Sequence, residues 1–130
     1  MADLLVEHHG VPVIVCAADG PPVATVQDAL DQLIGSAFHR AEVVAVPAER
    51  FDDAFFDLSS GLAGAIMQKC VNYRIRLVVL GDITHRLRAG SALSDLVREA
   101  NRGRHVWFLP DVESLVVRLA PEAPGSSYSG

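Results

Sequence analysis

The run Arg74-Ile75-Arg76-Leu77-Val78-Val79-Leu80-Gly81-Asp82, RIRLVVLGD in one-letter code, decides the fold. Four consecutive apolar residues, Leu77 to Leu80, stop at a Gly-Asp pair. So short an apolar run, closed by turn residues, predicts a strand covered on both of its faces. The same pattern occurs on either side. Val43–Val46 (VVAV) is closed by Pro47, and Val106–Leu109 (VWFL) by Pro110-Asp111.

Helical spacing fills the intervals between these strands. Thr25 with Asp28 forms a capping-box pattern ahead of Val26, Leu30, Leu33, Ile34 and Ala37. A second helix is expected from Ser59 or Ser60, with Leu62, Ile66, Cys70 and Tyr73 along one stripe. Ser91 is placed to cap a third helix carrying Leu93, Leu96, Val97 and Ala100, stopped by Gly103. A fourth helix opens after Pro110-Asp111, with Val112, Leu115, Val116 and Leu119 inward. Upstream of all of them, Leu4–His8 and Val11–Ala17 flank His9-Gly10, a hairpin signal.

The element order is ββαβαβαβα. It predicts a single α/β domain over residues 1–120, built on a mixed, mostly parallel five-stranded sheet with right-handed crossovers. If the later strands pair in sequence order, their crossover helices share one face. The second face must then be covered by a helix or by another subunit. A homodimer is the expectation, because a bare apolar face would be a large sticky patch. The tail 121–130 (PEAPGSSYSG) is expected to be disordered.

Composition narrows the function classes. A formal net charge of −5 argues against nucleic acid as a partner, which calls for a basic face. The two cysteines, Cys16 and Cys70, lie in apolar runs and are expected as buried free thiols. No apolar run approaches the roughly 20 residues of a membrane-spanning helix, and the N-terminus lacks the pattern of a signal peptide. A cytoplasmic, non-membrane protein is expected. No Walker loop, no Gly-x-Gly-x-x-Gly and no zinc-type Cys/His spacing occurs, so neither a cofactor nor a metal is expected.

The element order, together with Ser59-Ser60-Gly61-Leu62 at the second helix, resembles the STAS domain of bacterial anti-sigma-factor antagonists. In that family the second helix follows an Asp-Ser-Ser-Gly-Leu motif. The resemblance implies phosphorylation of the second serine by a partner kinase, and a switch of protein partners as its result. By position Ser60 matches that serine and Ser59 the one before it, whereas Leu58 stands where the family has Asp. A longer stretch, FFDLSSGLAGAIMQKCVNYRIRLVVLGD with SALSDLVREANRG, is similar to a bacterial family catalogued as domain of unknown function 4180. That resemblance implies no activity.

Ser59 and Ser60 therefore have two readings: caps for a helix, or a phosphorylation or anion site at a helix N-terminus. In open α/β sheets ligands bind beyond the carboxyl ends of the parallel strands. Asp19, Glu49, Asp82, His85 and Asp111 are expected at that end. The candidate ligand-binding residues are Asp57, Asp82, His85, Arg86, Arg88 and Ser91. A carboxylate beside a histidine suits acid–base work, and two arginines suit a phosphate or carboxylate. Asp82 and Asp111 have simpler uses as turn and cap residues. Phe51, Phe55 and Phe56 are candidate interface anchors or the wall of an apolar pocket.

No nucleophile–base pair can be assigned from spacing, and a non-catalytic role is favoured. The leading expectation is a regulatory module with a protein partner. The alternatives are a small enzyme or small-molecule-binding protein of secondary metabolism with its pocket at the strand ends, and a structural dimer or accessory subunit.

Overall fold

The computed structural model describes residues 3–38, 40–88 and 90–121. The expected disordered tail lies, from residue 122 on, outside them.

Five strands form one sheet in the order β1-β2-β3-β4-β5. They are β1 (Leu4–His8), β2 (Val11–Val15), β3 (Val43–Pro47), β4 (Arg76–Leu80) and β5 (Val106–Leu109). β1 runs antiparallel to β2, with Val6 opposite Val13, and the other three pairings are parallel. The hairpin turn is the two-residue kind that the sequence predicts. His9 and Gly10 both take positive φ, at 53° and 81°, matching the twist of the flanking strands.

Strand order in sequence, joined by right-handed crossovers, puts three helical segments on one face. Helix α1 (residues 26–37) comprises an α-helical turn, a π-helical stretch at Leu30–Ile34 and a last turn at Gly35–Ala37. Thr25 and Asp28 form the expected capping box. Two short elements follow β3: a 3₁₀ turn (Ala48–Arg50) and α2 (Asp53–Phe56). A second 3₁₀ turn (Leu58–Ser60) leads into α3 (Leu62–Asn72). α4 (Thr84–Leu87) and α5 (Ser91–Arg102) connect β4 to β5. Ile14, Val44, Val46, Leu77, Val79 and Phe108 of the sheet pack under α1, α3 and α5 through Leu33, Ile66, Cys70 and Leu93. Burying each of the larger side chains contributes about 2 kcal/mol.

The second face is covered within the chain. Helix α6 (Val112–Leu119) folds back beneath the sheet. Its Leu115 is fully buried against Val13, Val43, Ala45, Val78, Leu80 and Trp107, with Val112 and Leu119 beside it. The helices are therefore divided between the faces. A sticky sheet face no longer motivates a homodimer.

Three sequence expectations change at helix ends. α3 begins at Leu62, and the capping position is held by Gly61 at φ 78°, a backbone conformation suited to glycine. Tyr73 follows α3, is 46% exposed, and meets Phe38 edge-on rather than joining the buried stripe. Ser91 is the first residue of α5, after Gly90, and its hydroxyl makes no cap.

The two sheet edges differ. On β5, Asn101 of α5 pairs with the outward backbone of Phe108. Its Nδ2 donates to the Phe108 carbonyl (3.2 Å), and the Phe108 N–H donates to its Oδ1 (2.7 Å). On β1, Leu4 and Leu5 are 62% and 50% exposed.

Candidate functional site

The connection AERFDDAFFDL between β3 and α3 shapes the carboxyl end of the sheet. Arg50 is 4% exposed at its centre. Its Nε donates to the Pro21 carbonyl (2.8 Å), one Nη to the Ala17 carbonyl (2.7 Å) and the other to Gln32 Oε1 (2.7 Å). A buried guanidinium needs such partners. It fastens the loop after β2 and α1 to the loop after β3. The bridge between Val23 and Phe51 runs alongside. Phe51 stacks on Phe55 at 4.1 Å, and Phe55 meets Phe56 edge-on at 5.2 Å.

On this platform lies a cavity of about 570 Å³, lined by Asp53, Phe56, Asp57, Leu58, Ser59, His85, Arg86, Gly90, Ala92 and Leu93. A second hollow of about 200 Å³ shares Phe56, His85 and Arg86 and adds Glu49 and Asp82. Of the candidate residues, Asp57, Ser59, His85 and Arg86 share one cavity, with Glu49 and Asp82 of the strand ends adjoining. Arg88 and Ser91 do not line either hollow. Phe51 and Phe55 are core residues, and only Phe56 serves as cavity wall. Asp111 caps α6 instead: its carboxylate accepts from the Ser114 N–H and hydroxyl.

Asp53 was not foreseen. Its carboxylate meets Arg86 at 2.7 Å, and the Arg86 guanidinium lies 4.6 Å from the centre of the Phe56 ring. Asp53 is largely exposed, so the ion pair contributes under about 1 kcal/mol of stability. Its effect is orientation, because it holds Arg86 over Phe56 at the cavity wall.

The serines are tied locally. Ser59 donates from its hydroxyl to Asp57 Oδ1 (2.6 Å), and its N–H donates to the same oxygen (3.1 Å). Asp57 thus caps the 3₁₀ turn from one residue before Leu58. The Ser60 hydroxyl donates to the Ala54 carbonyl of α2 (2.6 Å) and accepts from the Leu62 N–H of α3 (3.1 Å). Both serines remain exposed.

Asp82 accepts from the Thr84 hydroxyl (2.5 Å) and N–H (2.9 Å). These bonds hold its carboxyl below the usual aspartate range, so at neutral pH it stays a carboxylate. The Ser59 hydroxyl bonds a carboxylate rather than an imidazole. One guanidinium, several carboxylates and an apolar wall suit binding a charged group with an apolar body. The thiols of Cys16 and Cys70 are buried in the core, away from this cavity. Among the described residues, no three His, Cys, Asp or Glu side chains are grouped to hold a metal. Nor, among them, is any helix long and apolar enough to cross a membrane.

Comparison with curated proteins gives no match, and none of the solved structures matches the chain. The family model described as Domain of unknown function (DUF4180) matches residues 8–119, and the chain belongs to that family.

Proposed function

We propose that this chain is a non-catalytic, STAS-like interaction module of the cytoplasm. Its docking end is the cavity at the carboxyl ends of the strands, and modification of Ser60 switches it. One observation carries this reading. The exposed Ser60 hydroxyl bonds both the last turn of α2 and the first N–H of α3. A phosphate on that oxygen removes the hydrogen donated to the Ala54 carbonyl and places about two negative charges there. The free N–H groups at the start of α3 favour the phosphate, while Asp53 and Asp57 repel it. The expected result is release of α2 and of the Asp53–Arg86 pair, which reshapes the surface shown to a regulatory protein partner. The mass of the protein isolated from its own organism tests this. One phosphate mapped to Ser60 supports the switch. An unmodified Ser60 throughout growth, with normal behaviour of a Ser60→Ala strain, rejects it.

A second reading is favoured by the cavity itself. Its volume of about 570 Å³ suits a small-molecule ligand with an anionic group for Arg86. A small molecule retained on native purification, and lost in Arg86→Ala, would support that reading. The chain is also proposed to be a homodimer, now on the grounds of the β1 edge. Leu4 and Leu5 are exposed there, and antiparallel pairing with β1 of a second copy would cover them.

A further inference from the structure

At the opposite end of the sheet, where the parallel strands begin, lies a cavity of about 390 Å³. Val11, Val71 and Ile75 give it an apolar side, and Arg74, Arg76 and Arg104 a cationic one beside His105, with Glu42 as its single carboxylate. In a chain of net charge −5, a cluster of arginines at one end is not a product of overall composition.

One lining residue, Arg76, also rests on Trp107, which it shares with Arg118 of α6. The Arg76 guanidinium lies 4.6 Å from the centre of the indole, and that of Arg118 lies 4.4 Å from it. Arg76 Nε donates to the Arg104 carbonyl (2.5 Å), and Arg118 donates to the Asn101 carbonyl. Arg76 spends one of its five N–H donors on that bond, and its guanidinium is further held by the indole it lies over. Arg74 takes a positive φ of 58°, an uncommon backbone conformation for a residue with a side chain. Burial pushes the Arg76 pKa down most; Glu42, the strongest of its charged neighbours, pushes it up, and Arg104 and Arg118 push it down. Three guanidinium groups face one carboxylate in this cavity, and the excess positive charge favours an anion.

We infer that this cavity binds a small oxyanion ligand, a phosphorylated or polycarboxylate molecule with an apolar portion. The anion is held by Arg74, Arg76 and Arg104, and the apolar portion by Val11, Val71 and Ile75. This site stands apart from the Ser60 end of the molecule, and neither reading depends on the other.

Trp107 is the single tryptophan of the chain and carries Arg76 over its ring, so its fluorescence reports any shift of Arg76 on binding. The full chain is titrated with pyrophosphate and, separately, with citrate, each against sodium chloride of equal ionic strength. The expected result is a saturable change with at least one of the two anions and none with chloride. The more effective anion distinguishes a phosphate from a carboxylate ligand. Arg104→Ala together with Arg74→Ala should weaken binding at least tenfold. Both residues are exposed, so folding is retained, as circular dichroism will check. Arg86→Ala, at the other end of the sheet, should leave the titration unchanged. Absence of saturation with both anions, or saturation unaltered in the double variant, overturns the inference.

Discussion

A Cβ placed on Gly20 would stand 2.6 Å from the Arg50 guanidinium carbon. The loop after β2 therefore lies directly on the buried cation, with no room for even a methyl group. Gly20→Ala should destabilise the chain by about 2 kcal/mol through overpacking. Arg50→Met leaves the Ala17 and Pro21 carbonyls and the Gln32 amide without their donor, and should cost about 3 kcal/mol. The two should not add. Once Arg50 is methionine, a flexible chain replaces the rigid fork and the alanine is accommodated. Urea unfolding of both single variants and the double variant measures this coupling. Strict additivity would show that the contact has no energetic weight.

Ser60→Ala removes the link between α2 and α3. A loss of about 1 kcal/mol is expected. The distinguishing effect is local. Hydrogen exchange should rise in residues 52–62 and stay unchanged in β3 and β4. A uniform rise would mean that the serine supports the whole domain rather than this joint.

Burial pushes the Cys16 and Cys70 thiols up to about 12 from an ordinary 9; the Asp3 carboxylate adds to the effect at Cys16, while Arg50 opposes it. The folded chain keeps these protons where the unfolded chain loses them. Each thiol thus contributes stability that is complete below pH 9 and is lost as pH rises from about 9 toward 12. The slope is at most about 1.4 kcal/mol per pH unit for each thiol. Cys70→Ala should show a shallower alkaline loss of stability than the wild type in denaturant titrations between pH 8 and 11. Equal slopes would mean that the thiol is not sealed from water. An aromatic disulfide reagent should likewise leave both cysteines unlabelled at pH 8 until denaturant is added.

Leu5→Lys places a charge on the open edge of β1. Leu5 is half exposed, so the fold should tolerate the change. Sedimentation should show the wild type as a dimer and the variant as a monomer. A monomeric wild type would dispose of the β1 pairing.

The sheet was legible in the sequence because its strands are short apolar runs ended by Pro47, Gly81-Asp82 and Pro110-Asp111. Three crossover helices were legible by spacing, and their shared face follows from right-handed crossovers. Coverage of the second face was not legible. The spacing of Val112, Leu115 and Leu119 fixes which side of α6 is apolar but not which layer it joins. The segment AERFDDAFFDL resisted for another reason. Elements of three or four residues are too short to display a period. Arg50 carries no local sign of burial, since its partners Ala17, Pro21 and Gln32 lie 18 to 33 positions upstream.

Strand direction alone points to Glu49, Asp82 and His85, and these do lie at the two hollows, while Asp57, Ser59 and Arg86 stand out by residue type in the neighbouring segments. Asp53 reaches the cavity only by virtue of α2. Ser91 and Arg88 stay off its wall, because the direction of the chain after Leu87 decides and no residue type announces it. Trp107 was read as part of a strand. Its arginine neighbours, Arg76 and Arg118, come from β4 and α6, so only the assembled fold reveals them.

The Asn101 side chain has a consequence for how large an assembly can become. A sheet with two bare margins recruits copies without limit and ends as a fibre. Here one margin is already occupied by an amide that imitates a neighbouring strand. Two copies joined at β1 would present only such stoppered margins to the solvent, and assembly would halt at a pair. A single amide would thus set the difference between a finite particle and a polymer, and Asn101→Leu should turn a well-behaved solution of this protein into one that scatters light.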